Sequence, residues 1–258
     1  MTILVTGGTG PLGREVVPVL RSHDAEVAVL SRHEHPAFRT GDLVTGVGLA
    51  AALRGIDTVV HLAAGRHQRT GARNLVSASR AAGIRHLVFV SIVGVDRVPL
   101  PYQRDKLAAE WEIEQSGLPV SIQRVTQFHS FAAAPFLAQH RSPVLLAPRL
   151  SIQPIDTREV ARVLASMAMS GPGSGPGGRA VSGPMGSGPH GRMPDLGGPE
   201  VLTGRRLAEI VSAQHGWKKR IVDVSLPGRA WASFAAGYHL APSNRAGGRT
   251  FAEFLAQS

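Results

Sequence analysis

The sequence predicts an α/β fold, a doubly wound parallel sheet, on three observations. Strand-like and helix-like stretches alternate through the first half of the 258 residues. The strands are apolar almost throughout, as burial on both faces requires. A glycine-rich turn follows the first strand directly and opens the first helix.

The elements run as follows. Residues 2–6 form a short β-branched strand ending in glycines. Residues 11–21 carry Leu12, Val16, Val19 and Leu20 at helical spacing. A second strand covers 26–30, a short helix 49–53, and a third strand 57–62. Residues 70–82 read as a helix closed by Gly83. A fourth strand covers 87–91, a long helix 102–116 stops at Gly117, and a fifth strand covers 120–125. A returning strand is expected at 151–155. Asp156-Thr-Arg-Glu159 has the pattern of a capping box and opens a helix to about Met169. The stretch 171–199 is dense in Gly, Pro and Ser and reads as a long loop. A helix over 205–214, a strand at 220–224 and short amphipathic segments at 230–236 and 250–256 follow. The expected organisation is one domain over 1–170, with its core in 1–125 and a returning strand and helix in 151–169. A Gly/Pro-rich loop over 171–200 and a small C-terminal lobe over 201–258 complete it.

Composition narrows the function. With no cysteine, a disulfide framework, thiolate metal ligation and a cysteine nucleophile are excluded. The 11 histidines include no i, i+4 pair with an acid between, so no metal site is expected. No apolar run approaches a membrane span and no secretory signal opens the chain, so a cytoplasmic protein without a membrane partner is expected. The net charge is +10, but only Lys106, Lys218 and Lys219 among the 28 basic residues are lysines. The arginines are scattered and aromatics make up 5%, which disfavours nucleic-acid binding.

Thr6-Gly7-Gly8-Thr9-Gly10-Pro11-Leu12-Gly13 carries the sharpest signal. Gly7 suits a tight turn out of the strand. Gly10 lets backbone approach a pyrophosphate, and Gly13 lets the helix pack close to the sheet. The helix N-terminus then offers free N–H groups to phosphates. This pattern, through Gly7, Thr9, Gly10, Pro11, Leu12 and Gly13, is expected to form a dinucleotide site, the alternative being an ordinary glycine-rich strand–helix turn. The second strand ends Leu30-Ser31-Arg32, with no acid for a ribose 2′-OH. Arg32 can pair with a 2′-phosphate and Ser31 can add a hydroxyl, so NADP(H) is expected in preference to NAD(H). Asp42 and Leu43 are placed near the adenine, and the small Ala63 and Ala64 suit close approach of the cofactor.

Tyr102 and Lys106 are four apart on the long helix and share a face. Ser91 ends the fourth strand, at the carboxyl edge where ligands sit in such sheets. An ammonium beside a phenol favours phenolate and eases proton exchange. The expectation is carbonyl reduction, with Tyr102 as proton donor, Ser91 holding the substrate oxygen, and Lys106 serving both Tyr102 and the nicotinamide ribose. Glu110, Glu112 and Glu114 on the same helix read as a solvated face, and Trp111 and Trp217 as packing residues.

Four stretches carry a family likeness: the glycine loop, Val60-His-Leu-Ala-Ala64, Pro101-Tyr-Gln-Arg-Asp-Lys-Leu-Ala-Ala-Glu110, and Gln153-Pro-Ile-Asp156. With Gly197-Gly-Pro-Glu-Val-Leu-Thr203 and Leu226-Pro-Gly228 behind them, the chain resembles the atypical short-chain dehydrogenase/reductase superfamily, in its NmrA-like branch. The resemblance implies an NAD(P)H-binding Rossmann domain with a small substrate lobe. It also implies that Gln127, Phe128 and His129 lie near nicotinamide and substrate. His129 can stand in as proton donor or be an ordinary packed histidine. Trp231, Phe234 and Tyr238 can line the lobe or its core. The expected function is an NADPH-dependent reductase of a small organic carbonyl or quinone, monomeric or homodimeric. The alternatives are a non-catalytic NADP(H)-sensing regulator bound to a protein partner and, more remotely, a sugar-nucleotide epimerase-like enzyme.

Overall fold

The computed structural model describes residues 1–171 and 191–257. Strands β1 (Thr2–Thr6), β2 (Glu26–Ser31), β3 (Phe38–Thr40), β4 (Thr58–His61), β5 (His86–Ile92), β6 (Val120–Val125) and, later in the chain, Gly191–Arg192 build one sheet. That last pair of residues is β9, because β7 (Val144–Pro148) and β8 (Ser151–Ile152) precede it. The order is β3-β2-β1-β4-β5-β6-β9, and the strands run parallel. This is the doubly wound arrangement that the sequence predicts. Val5 pairs with Val29 on one side and Val60 on the other, so this position of β1 has a β-branched neighbour across both ladders.

The helices between the strands are α1 (Gly13–Arg21), α2 (Leu49–Ala52), α3 (Gln68–Ala81) and α4 (Pro101–Glu114). Next come α5 (His129–Leu137) and α6 (Thr157–Ser170). After β10 (Leu202–Thr203) follow α7 (Gly204–Gln214), β11 (Arg220–Val224), α8 (Arg229–Ala235) and α9 (Phe251–Ala256). Thr203 caps α7 by accepting from the Arg206 N–H, and Thr250 with Glu253 makes a capping box on α9.

The chain divides into two compact units. The first comprises 1–91, 104–124 and 160–193, and its core joins Leu4, Val59, Leu87, Phe89, Ile113 and Ile122. The second comprises 92–103, 125–159 and 194–258, and its core joins Phe136, Leu145, Leu207, Val211 and Phe251. In the second unit β7 pairs with β11 in parallel and β8 with β10 antiparallel.

Several expectations change in detail. The returning strand is two residues long, and of the residues from Gln153 to Asp156, Ile155 makes an isolated bridge, to Phe128. Residues 125–159 group with the C-terminal segments and not with the sheet. The loop expected over 171–200 lies mostly outside the described residues. Its end is ordered structure: Gly191–Arg192 adds a strand beside β6, and Leu196 bridges to Val125. Among the described residues no helix is long and apolar enough to cross a membrane.

Candidate dinucleotide and catalytic site

In the first unit the strand order reverses at β1 and β4. The chain winds from β1 to β2 and β3 on one side, and from β4 to β5 and β6 on the other. Ligands bind such sheets at the carboxyl ends of the strands flanking this point. The loop 7–12 leaves β1 there. Gly7 has φ +70, and a Cβ on it would sit 2.7 Å from the backbone nitrogen of Ala63. A Cβ on Gly13 would overlap the backbone of Gly7 and Gly8. Both positions thus tolerate glycine alone. Gly10 donates to the Gly7 carbonyl at 3.0 Å, which closes the turn. Leu12, at the N-cap of α1, supplies no side-chain cap to the helix N-terminus. Uncapped N–H groups at a tight glycine cradle fit a pyrophosphate.

Ser31 ends β2, and its hydroxyl accepts from the His33 N–H at 3.1 Å. Arg32 next to it is exposed. Asp42 Oδ1 accepts from the backbone N–H groups of Val44 (2.6 Å) and Thr45 (3.2 Å), so its carboxylate shapes its own turn. Leu43 is fixed by Asn74, whose amide donates to its carbonyl at 2.9 Å. Ala63 is half-buried behind Gly7, and Ala64 is exposed beyond it.

Ser91 and Lys106 belong to the same unit and are 1% and 3% exposed. The Lys106 ammonium lies 4.3 Å from the centre of the Phe89 ring. Burial lowers its pKa from the usual lysine range to about 8, against the opposing pull of Glu110 and Asp105. The other side of this cluster is His61, stacked on Phe89 at 5.3 Å and bonded through Nδ1 to Thr6 Oγ1 at 2.6 Å. Burial, then the Lys106 charge, pushes His61 down to about 3, so its imidazole is neutral.

The Ser91 hydroxyl donates to the carboxylate of Glu110. Arg124 Nη2 donates to that carboxylate at 2.6 Å and Nε at 3.1 Å, with Glu110 1% exposed. This corrects the solvated-face reading of α4. Glu110 is the carboxylate of a buried ion pair, while Glu112 binds Arg69 and Arg73 of α3 and Glu114 is exposed. Sequence reasoning missed the pair because Arg124 lies inside a strand that reads as plain core. Asp105 turns away to the start of α3, where its carboxylate accepts from the N–H groups of Gln68 (2.7 Å) and Arg69 (3.2 Å).

Tyr102, Gln127, Phe128 and His129 belong to the second unit. Tyr102 lies in the first turn of α4 and is 46% exposed. Gln127 is exposed, and Phe128 is half-buried with its ring 6.2 Å from Phe131. His129 takes the packed role of the two that the sequence allows. It is buried, its ring stacks 5.1 Å from Phe254, and its Nε2 bonds the Arg249 carbonyl at 3.0 Å. Trp111 is exposed and not a packing residue, whereas Trp217 packs against the second core. Trp231, Phe234 and Tyr238 are all half-buried, and Arg97 lies 3.3 Å over the Tyr238 ring.

Residues 7–169 match a family described as NAD(P)H-binding. A (4-alkanoyl-5-oxo-2,5-dihydrofuran-3-yl)methyl phosphate reductase of Streptomyces griseus is 28% identical over 235 residues, 87% of this chain and 77% of that protein. The Photosystem II assembly factor Ycf39 of Trieres chinensis is 27% identical over 164 residues, and the match spans half of its length and 56% of this chain. Among solved structures, an NADPH-dependent quinone oxidoreductase of Escherichia coli, complexed with NADPH, superposes with a TM-score of 0.77. It is 17% identical, over 99% of both chains, a likeness of fold.

Proposed function

Because the chain belongs to the NAD(P)H-binding family that residues 7–169 match, we propose that it is an NADPH-dependent reductase of a small carbonyl or quinone. Its site pairs Lys106 with Tyr102 and Ser91. The observation that carries this reading is Lys106: a desolvated ammonium one turn of α4 from Tyr102, in the unit that holds the glycine cradle. Its likeness to a reductase over 87% of the chain supports the same class.

When bound, the reduced nicotinamide supplies hydride to the substrate carbon. Tyr102 gives the phenolic proton to the substrate oxygen, and solvent returns it. Lys106, charged below pH about 8, stabilises the phenolate that remains and bonds the ribose hydroxyls. Gly7, Thr9, Gly10, Pro11, Leu12 and Gly13 hold the pyrophosphate. Ser31 and Arg32 meet the 2′-phosphate, Asp42 and Leu43 flank the adenine, and Ala63 and Ala64 leave room for the ribose. Ser91 orients the substrate oxygen only if its hydroxyl exchanges Glu110 for that oxygen. Gln127 and Phe128, with segments of 201–258, complete the substrate side. The protein is proposed to work in the cytoplasm as a monomer or homodimer.

The test follows nicotinamide absorbance with NADPH and, separately, NADH over a panel of quinones and ketones. The reading expects oxidation with NADPH well above that with NADH. It expects Arg32→Glu to erase that preference by at least tenfold, since one charge-assisted bond is worth about 1.5–3 kcal/mol. Tyr102→Phe should keep NADPH binding and lose turnover by about 10²-fold or more. Tight NADPH binding with no turnover on any compound would favour the second reading, an NADP(H)-sensing regulator with a protein partner. The likeness to an assembly factor is the observation behind that second reading.

A further inference from the structure

We propose that Glu110, clamped by Arg124, is a positioning residue that acts through Lys106: its fixed carboxylate supplies the counter-charge one helical turn from that ammonium. The inference rests on the reductase reading of Lys106 as a cofactor contact.

The geometry excludes a merely decorative ion pair. Arg124 reaches both oxygens of Glu110, and Ser91 takes up the remaining acceptor capacity, so three side chains on β5, α4 and β6 close one network. The side chains of Arg124 and Glu110 are 5% and 2% exposed. A buried ion pair is seldom the most stable filling for a core of this size, because desolvation opposes the Coulomb gain. Leucine and methionine would pack α4 on the sheet at less cost. What an apolar pair cannot supply is a fixed negative charge at position i+4 from a buried ammonium.

The charged and titratable groups around Lys106 are few. On α4 they are Asp105 and Glu110, with the phenol of Tyr102 one turn before Lys106. Asp105 already caps α3 through the N–H groups of Gln68 and Arg69. From β4 comes His61, which is neutral, and from β5 the ring of Phe89. Glu110 is thus the counter-charge whose hydrogen bonds all run to Ser91 and Arg124, and its orientation is set by them.

The test is NADPH affinity from pH 7 to 10.5, read by nicotinamide fluorescence on the wild type, Glu110→Gln and the double variant Glu110→Gln/Arg124→Gln. It needs no turnover. The cofactor's 2′-phosphate has its second pKa at ~6 and is almost fully ionised by about pH 7.5, so the limb above that reports the protein. The wild type should lose affinity around pH 8 as Lys106 is neutralised. In Glu110→Gln the midpoint should move to lower pH by about half a unit to one unit, because removal of a neighbouring anion favours the neutral amine. That variant leaves Arg124 buried without its carboxylate and risks misfolding. The double variant removes both charges and keeps neutral hydrogen-bonding groups, and it should move the midpoint the same way by less. A wild-type midpoint that neither folded variant moves overturns this proposal and leaves the reductase reading standing. A wild type with no alkaline limb overturns both.

Discussion

Lys106 is a residue that the fold holds against its own preference. In the unfolded chain it titrates near 10.5; in the folded protein burial lowers it to about 8. Below pH 8 both states carry the charge and folding bears the full cost. Between pH 8 and 10.5 only the unfolded chain keeps the proton, so this group's contribution to stability rises with pH until the cost is gone. Lys106→Met removes the cost at every pH. It is expected to stabilise the protein at pH 7 by on the order of 2 kcal/mol, after allowance for the lost ring contact, and to flatten the rise above pH 8. Denaturant melts at pH 7 and 10 check both, and a destabilised methionine variant at pH 7 would contradict the argument. His61 slopes the same way in a lower window. Its folded pKa of about 3 lies below the usual 6.5, so the folded state keeps its full advantage above 6.5 and loses it as pH falls toward 3. At this scale the sequence was legible where one residue type alone meets the need, as at Gly7 and Gly13. It was not legible at Glu110, because a charge in a helix is ordinarily solvent-facing and only the three-dimensional partner, Arg124, says otherwise.

Among the elements, α3 begins without a cap of its own. His67 precedes it at φ 62 and offers no side-chain bond, and Asp105 on α4 supplies the acceptors instead. Asp105→Ala should therefore cost about 1 kcal/mol, as loss of an N-cap does, with Asp105→Asn recovering only part of it because one amide oxygen serves one of the two N–H groups; equilibrium unfolding in urea reads the difference. The salt bridges of Arg69 and Arg73 to Glu112, which tie the same two helices, have arginine side chains more than half exposed and add little at physiological salt. The elements that the sequence did not reveal are β3, α5, β7, β9 and β10. Each lacks a period. β3 is three residues long, and β9 and β10 are two each. α5 is apolar on nearly every side and contains Pro135, so no face stands out. β7 is flanked by Pro143 and ends in Pro148, which reads as loop. In α4 the buried positions Gln103, Lys106, Ala109, Glu110 and Ile113 keep helical spacing, but three of the five are polar, so hydrophobicity hides the buried face.

For the whole molecule the decisive fact is that the chain passes between its two units five times, after residues 91, 103, 124, 159 and 193. The segment 1–125 is therefore expected not to fold by itself. It lacks α6, which buries Val160, Ala161, Leu164, Ala165, Met167 and Ala168, and it lacks β9. Expressed alone, residues 1–125 should bind a dye for exposed apolar surface and unfold without a cooperative transition, whereas the full chain should melt cooperatively. Saturating NADPH should raise the full chain's stability by about 2.7 kcal/mol at a hundredfold excess over Kd. A fragment 1–125 that melts sharply and binds NADPH would refute this division.

The late arrival of β9 also sets a timetable at the ribosome. The glycine turn emerges among the first residues, yet the strand that borders β6 on the sheet's far side is residues 191–192. At about 5–20 residues per second, synthesis of the stretch from residue 125 to residue 192 leaves β6 an open edge for roughly 3–13 s. During that interval β6 is a fully buried-type strand with no neighbour on one side, a template for any other growing chain. Translation speed and chaperone supply then join the finished protein's stability in setting how much of it is expected to reach the folded state.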